Sequence, residues 1–112
     1  MQVEKLDYNF DDYNSDSGQV FSIGEKPNIA IQNPEASVRM ALSEALLNIA
    51  GVKHEALSKI TFSANWMSST KTADERGDLV RGVQAVSNMA DALNLSIPVG
   101  KVISLHRLEV LT

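Results

Sequence analysis

The run "GQVFSIG" (Gly18 to Gly24) sets apolar Val20, Phe21 and Ile23 among polar neighbours between two glycines, the pattern of a short strand. "EKPNIAIQNP" follows, with two prolines and two asparagines around Ile29 to Ile31. It predicts a turn enclosing at most a few extended residues. From Glu35 to about Ala50 the period lengthens: Val38, Leu42, Ala45 and Ile49 recur at spacings of four, three and four, one core-facing helical stripe that Gly51 stops. Met40 and Leu47 add apolar surface on another side, so this helix should touch more than one neighbour. Leu57, Ile60, Phe62 and Ala64 then predict a second strand that runs into a loop at Asn65 and Trp66.

Thr72 and Glu75 have capping-box spacing and predict a second helix from about Ala73. Its apolar stripe is Leu79, Val83, Val86, Ala90 and Leu93, with Asn94 as a left-handed C-cap. "LSIPVG" and "KVISLHRLEVLT" are two further strands separated by Gly100, with Pro98 putting the first at an edge or strand end. The order β-α-β-α-β-β predicts an α+β fold, a mixed four-stranded sheet with two helices on one face. The other face is left open, and an open apolar face predicts pairing with a second chain, as a dimer or a closed barrel.

Residues 1–17 are polar and acidic around Tyr8, Phe10 and Tyr13 and read as an extended or loose arm, leaving residues 18–112 as one subdomain. A chain of 112 residues supports one hydrophobic core. Its 44% hydrophobic and 21% charged residues are those of a folding globular domain. A net charge of -4 works against nucleic acid and anionic membranes as partners. The absence of cysteine rules out disulfides, thiolate metal sites and a cysteine nucleophile, and a cytoplasmic setting is expected. No apolar run has the length of a membrane span.

Most chemical motifs fail on inspection. Asp12, Asn14 and Asp16 occupy the first, third and fifth places of a calcium loop, but Ser17 and Ile23 replace its glycine and its terminal glutamate. "VGK" at Val99 to Lys101 lacks the earlier glycine and the following hydroxyl of a phosphate loop. His54 and Glu55 begin a metalloprotease pattern that Ser58 ends, and His106 is the remaining histidine. Asn94 opens a glycosylation acceptor triplet without an export signal. Trp66 and Met67 fit loop anchors in the core better than a ligand platform.

The pair Glu44 and Asn48 is less easily dismissed. Four residues apart, they share a helical face with Ser37 and Ala41, about a quarter turn from the apolar stripe. Amphipathic helices carry such pairs routinely, facing water or bonding a neighbouring loop. The alternative is two hard oxygen ligands, one charged and one neutral, for a magnesium ion that in turn holds phosphates. Spacing alone does not separate the two.

In order and spacing, "GEKPNIAI", "ASVRMALSEALLNIAG", "ITFSANWM" and "LVRGVQAVSNMADALNLSIPVGK" resemble one segment of the phosphoribosylformylglycinamidine synthase family, glutamine-dependent ligases of purine biosynthesis. The match runs from about Tyr13 to Lys101, and its most specific pieces are "SEALLNI", "SANWM" and "IPVGK". The resemblance implies an N-terminal subdomain of the aminoimidazole-ribonucleotide-synthetase type, which pairs sheet to sheet into a barrel. It implies Glu44 and Asn48 as ligands of a magnesium bound to ATP or ADP, with Lys101 as a cofactor-binding residue. After Lys101 the family continues Asp-Ser-Met-Ser-Met, whereas Val102 to His106 stand here. Two oxygens alone do not hold magnesium tightly, and the glutaminase and other synthetase domains have no counterpart in the chain. The expectation is a stand-alone or truncated relative of one subdomain, inactive as a ligase alone. It would work as a homodimer or with the missing ligase domains in another chain. The alternative is a non-enzymatic interaction protein built on the same fold.

Overall fold

The structure is a computed structural model that describes residues 2–5, 18–53 and 56–104. Its class is α+β, as expected. Strand β1 (Gln2–Lys5) pairs antiparallel with β2 (Gly18–Phe21), and helix α1 (Pro27–Ala30) leads into α2 (Pro34–Leu47). After a 3-10 turn (Leu57–Lys59), β3 (Thr61–Ser68), α3 (Ala73–Ala92) and β4 (Ser96–Ser104) complete the order, with β3 and β4 parallel. Parallel neighbours need a crossover, which α3 supplies.

The expected single four-stranded sheet is replaced, among the described residues, by two separate two-stranded sheets. One reason lies in β4. The two strands expected on either side of Gly100 are a single strand through it, because Gly100 has no positive φ and pairs with Ala64 in the ladder. Pro98 falls instead at an irregularity: two residues of β3, from Thr61 to Ser63, span three of β4, from Ser96 to Val99. A residue without an N–H is accommodated where the ladder is already interrupted.

The other reason lies after β2. Gln2–Lys5, within the stretch read as an extended or loose arm, is its strand partner. Past Phe21 the chain then leaves the ladder and lies along α2 as a strap from Ser22 to Lys26. The Ser22 hydroxyl donates to the Ala45 carbonyl at 2.7 Å. Gly24 sits so close to α2 that a Cβ there would collide with the Ala41 carbonyl oxygen and stand 2.6 Å from the Ala45 nitrogen. Its backbone groups meet helix, not strand. The run expected as a turn with extended residues then closes one helical turn as α1, with Pro27 at its start.

Helix α2 begins on two matched residues. The Asn33 side-chain oxygen accepts from the Ala36 N–H at 3.0 Å, and Pro34, at the first helical position, has no N–H to satisfy. The helix ends at Leu47, short of the expected Ala50. Ile49 and Ala50 bond three residues back, to Leu46 and Leu47, which tightens the chain before Gly51. Leu42, Ala45 and Ile49 of the expected stripe are buried and Val38 is half-buried.

Helix α3 opens on the expected capping box. The Thr72 hydroxyl accepts from the Glu75 N–H at 3.2 Å while the Thr72 N–H donates to the Glu75 carboxylate at 3.0 Å. At the far end Asn94 adopts φ 55°, the Leu95 N–H donates to the Ala90 carbonyl at 2.8 Å and the Asn94 N–H to that of Asp91 at 3.2 Å. This double bond pattern is a Schellman closure, and it drops Leu95 into the core beside Ala90 and Leu42. The expected stripe is shifted, however: Val83 and Leu93 are exposed, whereas Gly82, Ala85 and Ala90 are buried. Small residues decide the contact face because α3 meets two elements at once. A Cβ on Gly82 would lie 3.3 Å from Val38 of α2 and 3.4 Å from the Trp66 ring of β3.

Strand β3 alternates strictly, with Phe62, Ala64, Trp66 and Ser68 half-buried and Thr61, Ser63, Asn65 and Met67 exposed. The loop expected at Asn65 and Trp66 is therefore strand, with Trp66 on the helix side. Phe62, Val86, Met89 and Ile97 pack around the Leu42, Ala90 and Leu95 cluster. The calcium-like pattern at Asp12 to Asp16, His54 with Glu55, and His106 lie outside the described residues.

Two outcomes follow from this packing. Gly24→Ala should lower stability by about 3 kcal/mol in urea denaturation, whereas Gly51→Ala, with open space around its Cβ, should change it by less than about 1 kcal/mol. Equal effects would remove the strap's close approach as their cause. The second concerns Glu75, whose carboxyl is held below its ordinary value first by the Thr72 N–H and then by the Ser69 hydroxyl at 2.8 Å. A lowered folded-state pKa stabilises fully above the ordinary value of 4.5 and is lost as pH falls through the lowered value. Glu75→Gln should thus be less stable than wild type at pH 7, and the gap should close in acid. A gap independent of pH would contradict it.

Candidate functional site

The polar stripe of α2 faces the strap. Ser37, buried, donates from its hydroxyl to the Lys26 carbonyl at 2.6 Å. Ala41, one turn on, lies beneath Gly24. One further turn along, Lys26 Nζ reaches Glu44 Oε2 at 2.7 Å, with both side chains about one-third exposed. At the end of the helix Asn48 Nδ2 donates to the Ile23 carbonyl at 3.0 Å. The strap thus runs antiparallel to the helix, with Ile23 at Asn48 and Lys26 at Ser37.

Electrostatics follow from this geometry. The Lys26 hydrogen bond holds the Glu44 carboxyl below its ordinary value, opposed by its partial desolvation and helped by the Lys26 charge and the Glu25 backbone N–H. Glu44 is an anion with a cation already in place. Asn48 spends its amide nitrogen on Ile23, which turns the other end of the carboxamide, an oxygen, away from that bond.

Glu44 and Asn48 face the same strap from successive turns of α2, each with its own partner there, and Lys101 does not join them. Lys101 pairs with Asn65 in the ladder and shares its exposed face, alongside Val99 opposite Ser63 and Ile103 opposite Met67. Helix α3 lies against the other face. A cleft of about 300 Å³ between α3 and the sheet is lined by Trp66, Val83, Val86, Asp91, Ile97 and Gly100 among others, and includes none of Glu44, Asn48 and Lys101. Among the described residues no three His, Cys, Asp or Glu are grouped to share a metal. None of the described helices is long and apolar enough to cross a membrane.

Whether the α2 stripe suits a metal is answered by Lys26. Its ammonium already occupies the carboxylate: Glu44 Oε2 takes a positive charge at ion-pair distance, 2.7 Å, on the face that Asn48 shares. The donor set is hard oxygen, which matches magnesium. It covers two of the roughly six positions magnesium fills. Lys26 and the strap escaped the sequence reading, although a glycine two residues before a lysine, ahead of a proline, is a signal for close backbone approach.

Comparison with known proteins gives a consistent result. The FGAR-AT PurM_N-like domain family matches residues 1–108. Phosphoribosylformylglycinamidine synthase of Schizosaccharomyces pombe (strain 972 / ATCC 24843) is 38% identical over 86 residues, which are 76% of this chain and 6% of that enzyme. The chain therefore spans a small part of the length of its curated relative. With the α+β core, the capped helices and the "SEALLNI" helix in place, the chain belongs to the FGAR-AT PurM_N-like domain family and corresponds to a segment of the N-terminal subdomain of phosphoribosylformylglycinamidine synthase.

Proposed function

We propose that the chain is a stand-alone or truncated ligase subdomain that serves a purine-biosynthetic, cytoplasmic assembly of the phosphoribosylformylglycinamidine synthase type without running the ligase reaction alone. In this reading α2 contributes Glu44 and Asn48 as oxygen ligands toward magnesium bound to ATP or ADP. The magnesium would screen phosphate charge. The observation that carries the proposal is the Glu44 carboxylate, fixed on one helical face with Asn48 and already holding a cation at 2.7 Å. The remaining ligands would come from a second copy or from ligase domains in another chain.

The same reading gives the open face of the β3–β4 sheet a purpose. Met67, Val99 and Ile103 are exposed there around Asn65 and Lys101. Such a face, with three apolar side chains among Ser63, Asn65 and Lys101, suits docking to another sheet. Lys101 would meet a nucleotide phosphate across that junction, since its own α2 lies on the helix side.

A second reading has its own support. Ser37, Glu44 and Asn48 all have partners within the chain, which is sufficient reason for their presence in a non-enzymatic interaction protein. Calorimetric titration of ADP into the purified protein, with and without magnesium, separates the two. The ligase-type reading expects magnesium-dependent heat, with affinity lowered at least tenfold, about 1.4 kcal/mol, in both Glu44→Ala and Asn48→Ala. Silence at millimolar ADP from a folded, dimeric protein would favour the second reading.

A further inference from the structure

We infer that Lys26 is a built-in competitor for the cation site on α2: its ammonium and a divalent metal exclude each other at Glu44 Oε2. This inference rests on the proposed ligand role of Glu44 and specifies how access to that ligand is controlled. The contact is direct, 2.7 Å between Nζ and Oε2. With the ammonium in place that oxygen is closed off from solvent, so no second approach to it lies open. A divalent ion on the same oxygen would stand within a few ångström of the ammonium, and like charges at that range repel strongly where water is partly excluded.

The backbone of Lys26 cannot retreat to relieve this. Its carbonyl accepts the Ser37 hydroxyl at 2.6 Å, Pro27 behind it begins α1, and Gly24 and Ile23 ahead of it are seated on α2. Exchange is therefore a side-chain event. The lysine stem, about one-third exposed, rotates into water and the metal takes its place. The ion pair holds the Glu44 carboxylate against the strap while no metal is bound, at the cost of weaker metal binding.

Magnesium chloride titrated into the full chain, observed through the side-chain carboxyl carbon resonance of Glu44, tests this. Lys26→Met keeps most of the aliphatic stem and removes the charge. It should bind magnesium at least tenfold more tightly than wild type, and adding Glu44→Gln should abolish the gain. Lys26→Arg, which keeps the charge, should stay at the wild-type affinity, and circular dichroism should show all variants folded. Equal affinity in wild type and Lys26→Met, including no binding in either, would overturn the competition, as would a gain that survives Glu44→Gln. Magnesium-dependent ADP binding by wild type is a separate readout: if it persists while the competition fails, only the role of Lys26 falls. If both fail, the ligand role of Glu44 falls as well.

Discussion

The seating of one short strap on one helix governs this fold. Between Ser22 and Lys26 the chain gives up sheet pairing and places its backbone against α2, where Ser22 and Asn48 bond across the junction in opposite directions. The approach is possible only because residue 24 has no Cβ to meet the Ala41 carbonyl and the Ala45 nitrogen. From that contact the rest is positioned: α1 turns the chain at Pro27, Asn33 and Pro34 restart it as α2, and α2 presents Val38 to Gly82 of α3. Glycine appears on both sides of the helix layer for one reason. At each, a Cβ would take space that a neighbour fills: helix backbone at Gly24, the Val38 and Trp66 side chains at Gly82.

The elements that local chemistry specifies were legible in the sequence. The capping box at Thr72 and Glu75, the left-handed Asn94 and the α2 stripe of Leu42, Ala45 and Ile49 all depend on residues within a turn or two of one another. What misled was long-range. Gly100 looks like a break and is an extended residue, because the ladder with Ala64 determines its conformation. Asn65 looks like a loop residue and is strand, because Trp66 beside it has α3 to pack against. Val83 fits a helical period but is exposed, since Gly82 is what allows the close contact. A periodicity count weighs large apolar residues and misses a contact face built from small ones.

The candidate site shows a different kind of ambiguity. A carboxylate and a carboxamide one turn apart on a helix can bind a strap or a metal, because both partners offer the same thing to an oxygen: a positive charge or a polarised N–H. The spacing of Glu44 and Asn48 states that they share a face and nothing about what faces them. The structure supplies that, in Lys26 and the Ile23 carbonyl. The resemblance to a ligase family pointed at the same two positions by a separate route, and the family match over residues 1–108 bears that kinship out.

Strap and ligand need not be rival explanations of one stripe. A carboxylate destined for a divalent ion is costly to leave unpaired next to protein, and it loses orientation if it is left to water. An internal lysine solves both difficulties while remaining displaceable, because a partly exposed ion pair is worth little in net free energy. A fully buried pair would hold Glu44 more firmly but would not release it. The intermediate exposure of Lys26 and Glu44, about one-third each, is what an exchangeable contact requires. The neighbouring bonds made by Ser37 and Asn48 to carbonyls of the strap carry no net charge, so they can persist through such an exchange and keep the seam closed. In the proposed exchange the neutral residues of the stripe hold the fold, and the one charged residue is the one that changes partner.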